Sequence, residues 1–194
     1  MRTQLMIALK VFIVMTILTG VLYPLCLTGI AQGCFPAKAT GSLLKKNGQL
    51  VGSALIGQAF DSDRYFGSRP SAVSYRTMPS GASNLALTSL KFKQLMAERK
   101  AAFLKRNELP DSTQVPSDML VASASGLDPH ISVEAARLQV NRIVKTRQLT
   151  GQQAGQLLTL INQVKESRQF GLFGEPRINV LVLNLKLDNL FKTN

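Results

Sequence analysis

The sequence predicts an α+β fold, with one N-terminal transmembrane helix followed by a single soluble domain of helices packed on a small sheet. Three observations predict it. Residues 11–37 carry no charge, and Arg2 and Lys10 precede them. Residues 84–107 and 132–164 repeat apolar side chains at helical spacing. Residues 177–187 alternate as a strand does.

The apolar stretch 11–30 spans roughly 30 Å as a helix, which matches the hydrocarbon thickness of a bilayer. Its Val, Ile, Leu and Phe side chains point all round the helix, as a lipid-facing segment requires. Gly20 and Pro24 interrupt it, and membrane helices tolerate both where another helix packs close. Met15, Thr16, Gly20, Tyr23 and Pro24 read as a docking side, with Gly20, Tyr23 and Pro24 the candidate docking residues. Two rivals stand beside this reading. A cleaved signal peptide would begin at Arg2 and Lys10 and be cut near Ala37-Lys38-Ala39, but the apolar run is long for one and Lys38 is unsuited. Acylation of Cys34 would call for a large apolar residue ahead of it, where the chain has Ala31-Gln32-Gly33. Flanking charge does not orient the helix, because Arg2 and Lys10 balance Lys38, Lys45 and Lys46. The expected division is a tail (1–10), the helix (11–30), a connector (31–47) and the α+β domain (48–194).

The chain has 194 residues, so one domain's worth of sequence follows the helix. Cys26 and Cys34 would lie about 12 Å apart on a helix, beyond disulfide reach. The net charge of +12 invites a nucleic-acid reading. With no Trp and no interleaved aromatic-basic motif, it reads instead as a basic face toward anionic headgroups or an acidic partner, with no nucleic acid.

The elements follow in order. Asn47-Gly48 signals a turn. Residues 49–60 read as a strand with a bend or bulge at its glycines. Residues 61–83, rich in Ser, Pro and Gly, form a long ordered loop of a kind that is often functional. Ser83 can cap a helix starting at Asn84, with Leu85, Phe92, Leu95, Met96 and Phe103 on one face, fading near Asn107. A loop covers 110–116, and 118–123 has room for a short strand. Ser132 caps a helix with Val133, Ala136, Val140, Ile143 and Val144 inside. Thr150 and Gln153 have the spacing of a capping box opening a helix with Leu157, Leu160, Ile161 and Val164 inside. Residues 177–187 are apolar on both faces at first, as in the middle of a sheet.

His130, the single histidine, sits in Ser123-Ala124-Ser125-Gly126-Leu127-Asp128-Pro129-His130-Ile131-Ser132. A His–Asp pair could activate Ser123 or Ser125, but no G-x-S-x-G elbow is present. One histidine with one carboxylate is too few ligands for a metal. The plainer reading is an ordered turn before the Ser132 cap, with His130 bonded locally. No catalytic residue and no metal ligand is assigned. No Walker A motif, G-x-G-x-x-G or D-K-T-G-T occurs, so no cofactor is expected on this chain alone and any ATP contact would be completed by another protein. Tyr65-Phe66-Gly67-Ser68-Arg69-Pro70-Ser71-Ala72 holds aromatics and an Arg, residue types that anchor interfaces.

Jointly these segments resemble the C subunit of bacterial potassium-transporting ATPases, the KdpC family. The matching residues are Leu18-Thr19-Gly20 with Tyr23-Pro24-Leu25, Gly52-Ser53 with Leu55-Ile56-Gly57-Gln58, Tyr65-Phe66 with Arg69-Pro70-Ser71, and Ser80-Gly81-Ala82-Ser83-Asn84-Leu85. The most specific are the run from Ser123 to Ser132 and Phe170-Gly171 through Gly174-Glu175-Pro176-Arg177-Ile178-Asn179-Val180-Leu181. The resemblance implies a single-pass subunit of the bacterial inner membrane, N-terminus cytoplasmic and domain periplasmic, in a complex that imports K⁺ with ATP. It implies as partners a channel-like potassium-selective subunit, a P-type ATP-hydrolysing subunit and a small membrane subunit. It implies a non-catalytic accessory that assists assembly and, as a catalytic chaperone, raises the ATP affinity of the hydrolysing subunit. An external domain cannot touch cytoplasmic ATP, so that effect would pass through membrane contacts. A direct ATP-binding module completing the partner's nucleotide site is the alternative, and an anchored hydrolase using Ser125 and His130 a third. Tyr65, Arg69, Asp128 and His130 are the candidate partner-contact residues.

Overall fold

The computed structural model describes residues 1–191. The chain divides into two compact units, Met1–Ser53 and Ala54–Asn194, and its class is α+β.

In the first unit, α1 (Arg2–Ile17), a single π-helical turn (Leu18–Leu22) and α2 (Tyr23–Cys34) form one continuous helix of 33 residues, long and apolar enough to cross a membrane. The π turn has a cause. Pro24 offers no N–H to the carbonyl four residues back, and its ring crowds that carbonyl. The backbone widens instead, and the Tyr23 N–H reaches the Leu18 carbonyl. The hydroxyls of Thr19 and Thr28 donate to the carbonyls of Met15 and Pro24, both at 2.7 Å. Both hydroxyls are thus satisfied within the helix, as a hydrocarbon surrounding demands. Cys26 and Cys34 are free thiols. After α3 (Pro36–Ala39), β1 (Leu43–Lys46) and β2 (Gln49–Ser53) pair as an antiparallel hairpin. Asn47 (φ 52°) and Gly48 (φ 81°) make its turn, the left-handed pair that two-residue hairpins favour. Leu44 opposes Gly52 and Lys45 opposes Leu50, so Val51 is the extra residue of the expected bulge. The strand expected to run to Phe60 ends at Ser53. Beyond it the backbone finds single bonds rather than a ladder.

The second unit is built on two short strands that each run straight into a helix. β3 (His130–Ser132) pairs antiparallel with β4 (Arg177–Asn179), placing Ile131 opposite Ile178 in the core. Ser132 then caps α5 (Val133–Leu138) by accepting from the Ala135 N–H. Asn179 caps α8 (Val180–Leu190) by accepting from the Val182 N–H at 3.1 Å. Such caps satisfy N–H groups that a helix start otherwise leaves unpaired. α6 (Val140–Thr146) continues from α5, and α7 (Gly151–Val164) opens with the expected Thr150–Gln153 capping box. Leu157, Leu160, Ile161 and Val164 of α7 meet Leu183 and Leu187 of α8 and Ala135, Val140 and Ile143 in one core. Each of the buried Val, Leu and Ile side chains contributes about 1.5–3 kcal/mol on leaving water.

Three sequence expectations are corrected here. The strand over 177–187 stops at Asn179, and 180–190 is helix, not the middle of a sheet. Val180, Leu181, Leu183, Asn184 and Leu187 are buried, which is helical spacing. Alternating leucines satisfied both periods. The Asn179 cap selects the helix, which supplies its own hydrogen bonds where only one three-residue partner strand is on offer. Ser83 caps nothing. Asn84 has φ 51°, outside helical space, and α4 (Leu90–Arg106) starts after Ser89, whose Oγ accepts from the Phe92 N–H at 3.2 Å. Residues 118–123 hold no strand but the end of a single 3₁₀ turn, Ser117–Met119. There the Asp118 carboxylate accepts from the Ser132 N–H (2.7 Å) and hydroxyl (3.2 Å).

Candidate functional site

The turn 123–130 is seated by close backbone approaches. A Cβ built on Gly57 would lie 2.7 Å from the Asp128 carbonyl oxygen, and the Gly57 N–H donates to the Leu127 carbonyl. Gly126 has φ +70°, and a Cβ there would lie 2.6 Å from Val73 and 2.9 Å from the Gly81 carbonyl. Only glycine meets both demands. The Ser71 hydroxyl and the Gly81 N–H bond this turn at the Gly126 and Ser125 carbonyls, at 2.7 and 3.0 Å.

On this seat Arg69, Asp128 and His130 come together. Asp128 Oδ1 accepts from the His130 backbone N–H and from His130 Nδ1, each at 3.0 Å. Its Oδ2 accepts from Arg69 Nη1 at 2.7 Å. Burial alone raises the Asp128 carboxyl, but the His130 ring and amide and the Arg69 guanidinium outweigh it and hold it at about 2. The pair expected from sequence therefore exists as a local turn. Its geometry does not continue into a triad. His130 Nε2 faces Glu166 Oε1 at 3.7 Å. The Ser125 hydroxyl accepts from the Leu127 N–H and the Ser123 hydroxyl lies 3.5 Å from the Asp128 N–H. Among the described residues no cluster of His, Cys, Asp and Glu is arranged to hold a metal ion. Arg69, Asp128, His130, Glu175 and Arg177 line an open groove of about 380 Å³.

Tyr65, the fourth candidate contact, lies apart from these three in its bonding. Its hydroxyl donates to Asp188 Oδ2 at 3.0 Å, and Arg147 stacks 4.9 Å above its ring while donating to Asp188 Oδ1. The neighbouring backbone is gripped by three buried polar side chains. Asn184 accepts from the Phe66 N–H and donates to the Phe66 carbonyl, both at 2.9 Å. Gln139 does the same for Gly67. Arg142 donates to the carbonyls of Asp63 and Tyr65 and to Asn107 and Gln139. Burial lowers its guanidinium to about 10, with Arg106 repelling and Asp63 partly compensating. The loop segment 63–67 is thus held by two side-chain amides and a guanidinium standing where a neighbouring strand would stand.

Sequence reasoning missed Glu166, Arg177, Asn184, Gln139 and Arg142. Arg177, with Glu175, lies in the run Gly174-Glu175-Pro176-Arg177 that carries the resemblance, a signal that could have pointed to both. The buried amides had no local signal, since their partners are 72 and 118 residues away. Gly20, Tyr23 and Pro24 lie in the first unit. A Cβ on Gly20 would meet only Thr16 Cγ2, at 4.0 Å, so the missing side chain leaves a notch on the helix surface.

A family model described as KdpC, K⁺-transporting ATPase c chain, matches residues 5–189. A potassium-transporting ATPase KdpC subunit of Leptospira interrogans is 47% identical over 95% of this chain and 93% of its own. Those of Dechloromonas aromatica (45% identical, 99% and 100%) and of Mycobacterium bovis BCG (44%, 98% and 100%) are similar over comparable lengths.

Proposed function

Because this chain belongs to the KdpC family, the c chains of potassium-transporting ATPases, we propose that it is a non-catalytic accessory subunit that assists assembly and tunes ATP binding by a partner. As a KdpC subunit it is one part of a multi-subunit potassium-transporting ATPase. In this reading its long helix lies in the bacterial inner membrane, with the N-terminus cytoplasmic and the second unit periplasmic. The helix docks on the other subunits, a channel-like potassium-selective one, a P-type ATP-hydrolysing one and a small membrane one, through Gly20, Tyr23 and Pro24. Tyr65, Arg69, Asp128 and His130 belong to the contact surface outside the membrane. It raises the ATP affinity of the hydrolysing subunit as a catalytic chaperone, by binding one pump conformation better than another rather than by touching nucleotide.

The observation that carries this reading is the helix itself: 33 residues long, its apolar side chains unburied within the chain, and notched at Gly20. Small residues let membrane helices approach closely. Gly20→Leu closes the notch without disturbing the unit's own packing. It is expected to lower co-purification of the other subunits by about tenfold, the effect of losing about 1.4 kcal/mol. Undiminished co-purification counts against docking at this face. Topology can be read at Ser112, which is exposed in the second unit. Ser112→Cys, with Cys26→Ser and Cys34→Ser, is expected to react with an impermeant maleimide on intact cells. Reaction only after lysis would place this unit with the nucleotide and favour direct ATP binding.

A further inference from the structure

Residues 166–177 form a hairpin finger in the second unit. Glu166 and Arg177 exchange both backbone hydrogen bonds (2.8 and 3.1 Å), as do Gln169 and Phe173 (2.9 and 2.9 Å). At its tip Phe170 is 93% exposed, Leu172 77% and Phe173 66%. All three side chains stay mostly in solvent, and Phe170 almost wholly so. Phe170 moreover sits at φ 53°, a left-handed conformation that costs a non-glycine residue about 1–2 kcal/mol. Glycine or asparagine would make the same turn at less cost, so the aromatic side chain is displayed rather than packed.

We propose that this finger inserts its Phe170–Leu172–Phe173 tip into an apolar pocket on another protein subunit of the same complex, an inference that rests on the subunit reading above. Two observations favour a protein pocket over a lipid surface. Residues 169–174 carry no charge. At the base, Arg168 pairs with Glu175 and Arg177 with Glu166, both at 2.9 Å. Those two guanidiniums are neutralised inside the finger, leaving Lys165 as a single exposed cation beside its base, whereas attraction to anionic headgroups takes a cluster of about four to eight cations. The finger also continues the candidate contact surface, since Glu166 lies 3.7 Å from His130, and Glu175 and Arg177 share the groove with Arg69 and Asp128. Because the hairpin is already hydrogen-bonded, seating it orders little new chain, and aromatic anchors of this kind dominate interface energetics.

The test uses the full chain in its native membrane with its partners. Phe170→Cys, in the Cys26→Ser and Cys34→Ser background, is labelled with benzophenone maleimide and illuminated. A covalent adduct to another subunit is the expected result. Adducts only to lipid or to a second copy of this chain, or none while the other subunits still co-purify, overturn the finger's role and leave the subunit reading standing. Failure of the Cys26→Ser, Cys34→Ser parent chain to bring down any subunit overturns both. As a second measurement, joint Phe170→Ser, Leu172→Ser and Phe173→Ser is expected to lower co-purified subunits about tenfold. An unchanged yield overturns the proposal.

Discussion

Two irregular segments of the second unit treat their side chains in opposite ways. The loop 61–83 has no strand or helix, yet Phe66 is fully buried and the adjacent backbone is held by Asn184, Gln139 and Arg142. The finger 166–177 has the hydrogen bonding of a hairpin, yet its largest side chains face outward. Regular backbone pairing and burial are therefore separate properties. The first segment is ordered by long-range polar contacts and belongs to the core. The second is ordered by itself and leaves its apolar groups unused.

That contrast can be broken from either side. Arg142→Ala should do the greatest damage. It removes the donor to two loop carbonyls and to Asn107 and Gln139 in a site where Arg142 is 5% exposed. Buried acceptors left without partners put the cost at about 3–5 kcal/mol. Thermal melting of the full chain in detergent, followed by circular dichroism, should show this. A melting curve like that of the parent would mean that the loop is not held through Arg142. Acid should have a smaller effect, through Asp128. Its folded carboxyl sits at about 2 against an ordinary 3.8. A depressed carboxylate contributes stability above its unfolded value and loses it as pH falls toward the folded one. Stability should fall by about 1 kcal/mol between about pH 4 and pH 2, allowing for solvent at a partly exposed group. Asp128→Asn should remove that part of the pH profile, which titration of the melting temperature reads directly. The smallest effect is expected at the finger. Joint serine substitution of Phe170, Leu172 and Phe173 should leave stability within about 0.5 kcal/mol, as surface changes usually do. A larger loss would show that the tip packs at home after all.

Much of the architecture was legible locally. The uncharged run, the Asn47-Gly48 turn, the Ser132 cap and the Thr150–Gln153 box each depend on neighbours within a few residues, and each stands where the sequence placed it. The candidate contacts were half legible. Asp128 and His130 are two positions apart and bond as a local turn, while Arg69 reaches Asp128 across 59 positions and was named only as part of a loop and by resemblance. Ser83 misled because a serine before a helical pattern is a cap only if the next residue is helical, and Asn84 is left-handed.

The sequence by itself determined the membrane-length helix, the α+β class and the family, because hydropathy, period and motif order are properties of the chain read along its length. Tertiary structure decided what 180–190 became. A run of alternating leucines fits a strand or a helix until its partners are known, and with one three-residue strand beside it, the Asn179 cap and the face toward α7 made it a helix. The same helix carries Asn184 to the Phe66 backbone 118 residues away, a contact that no local pattern encodes.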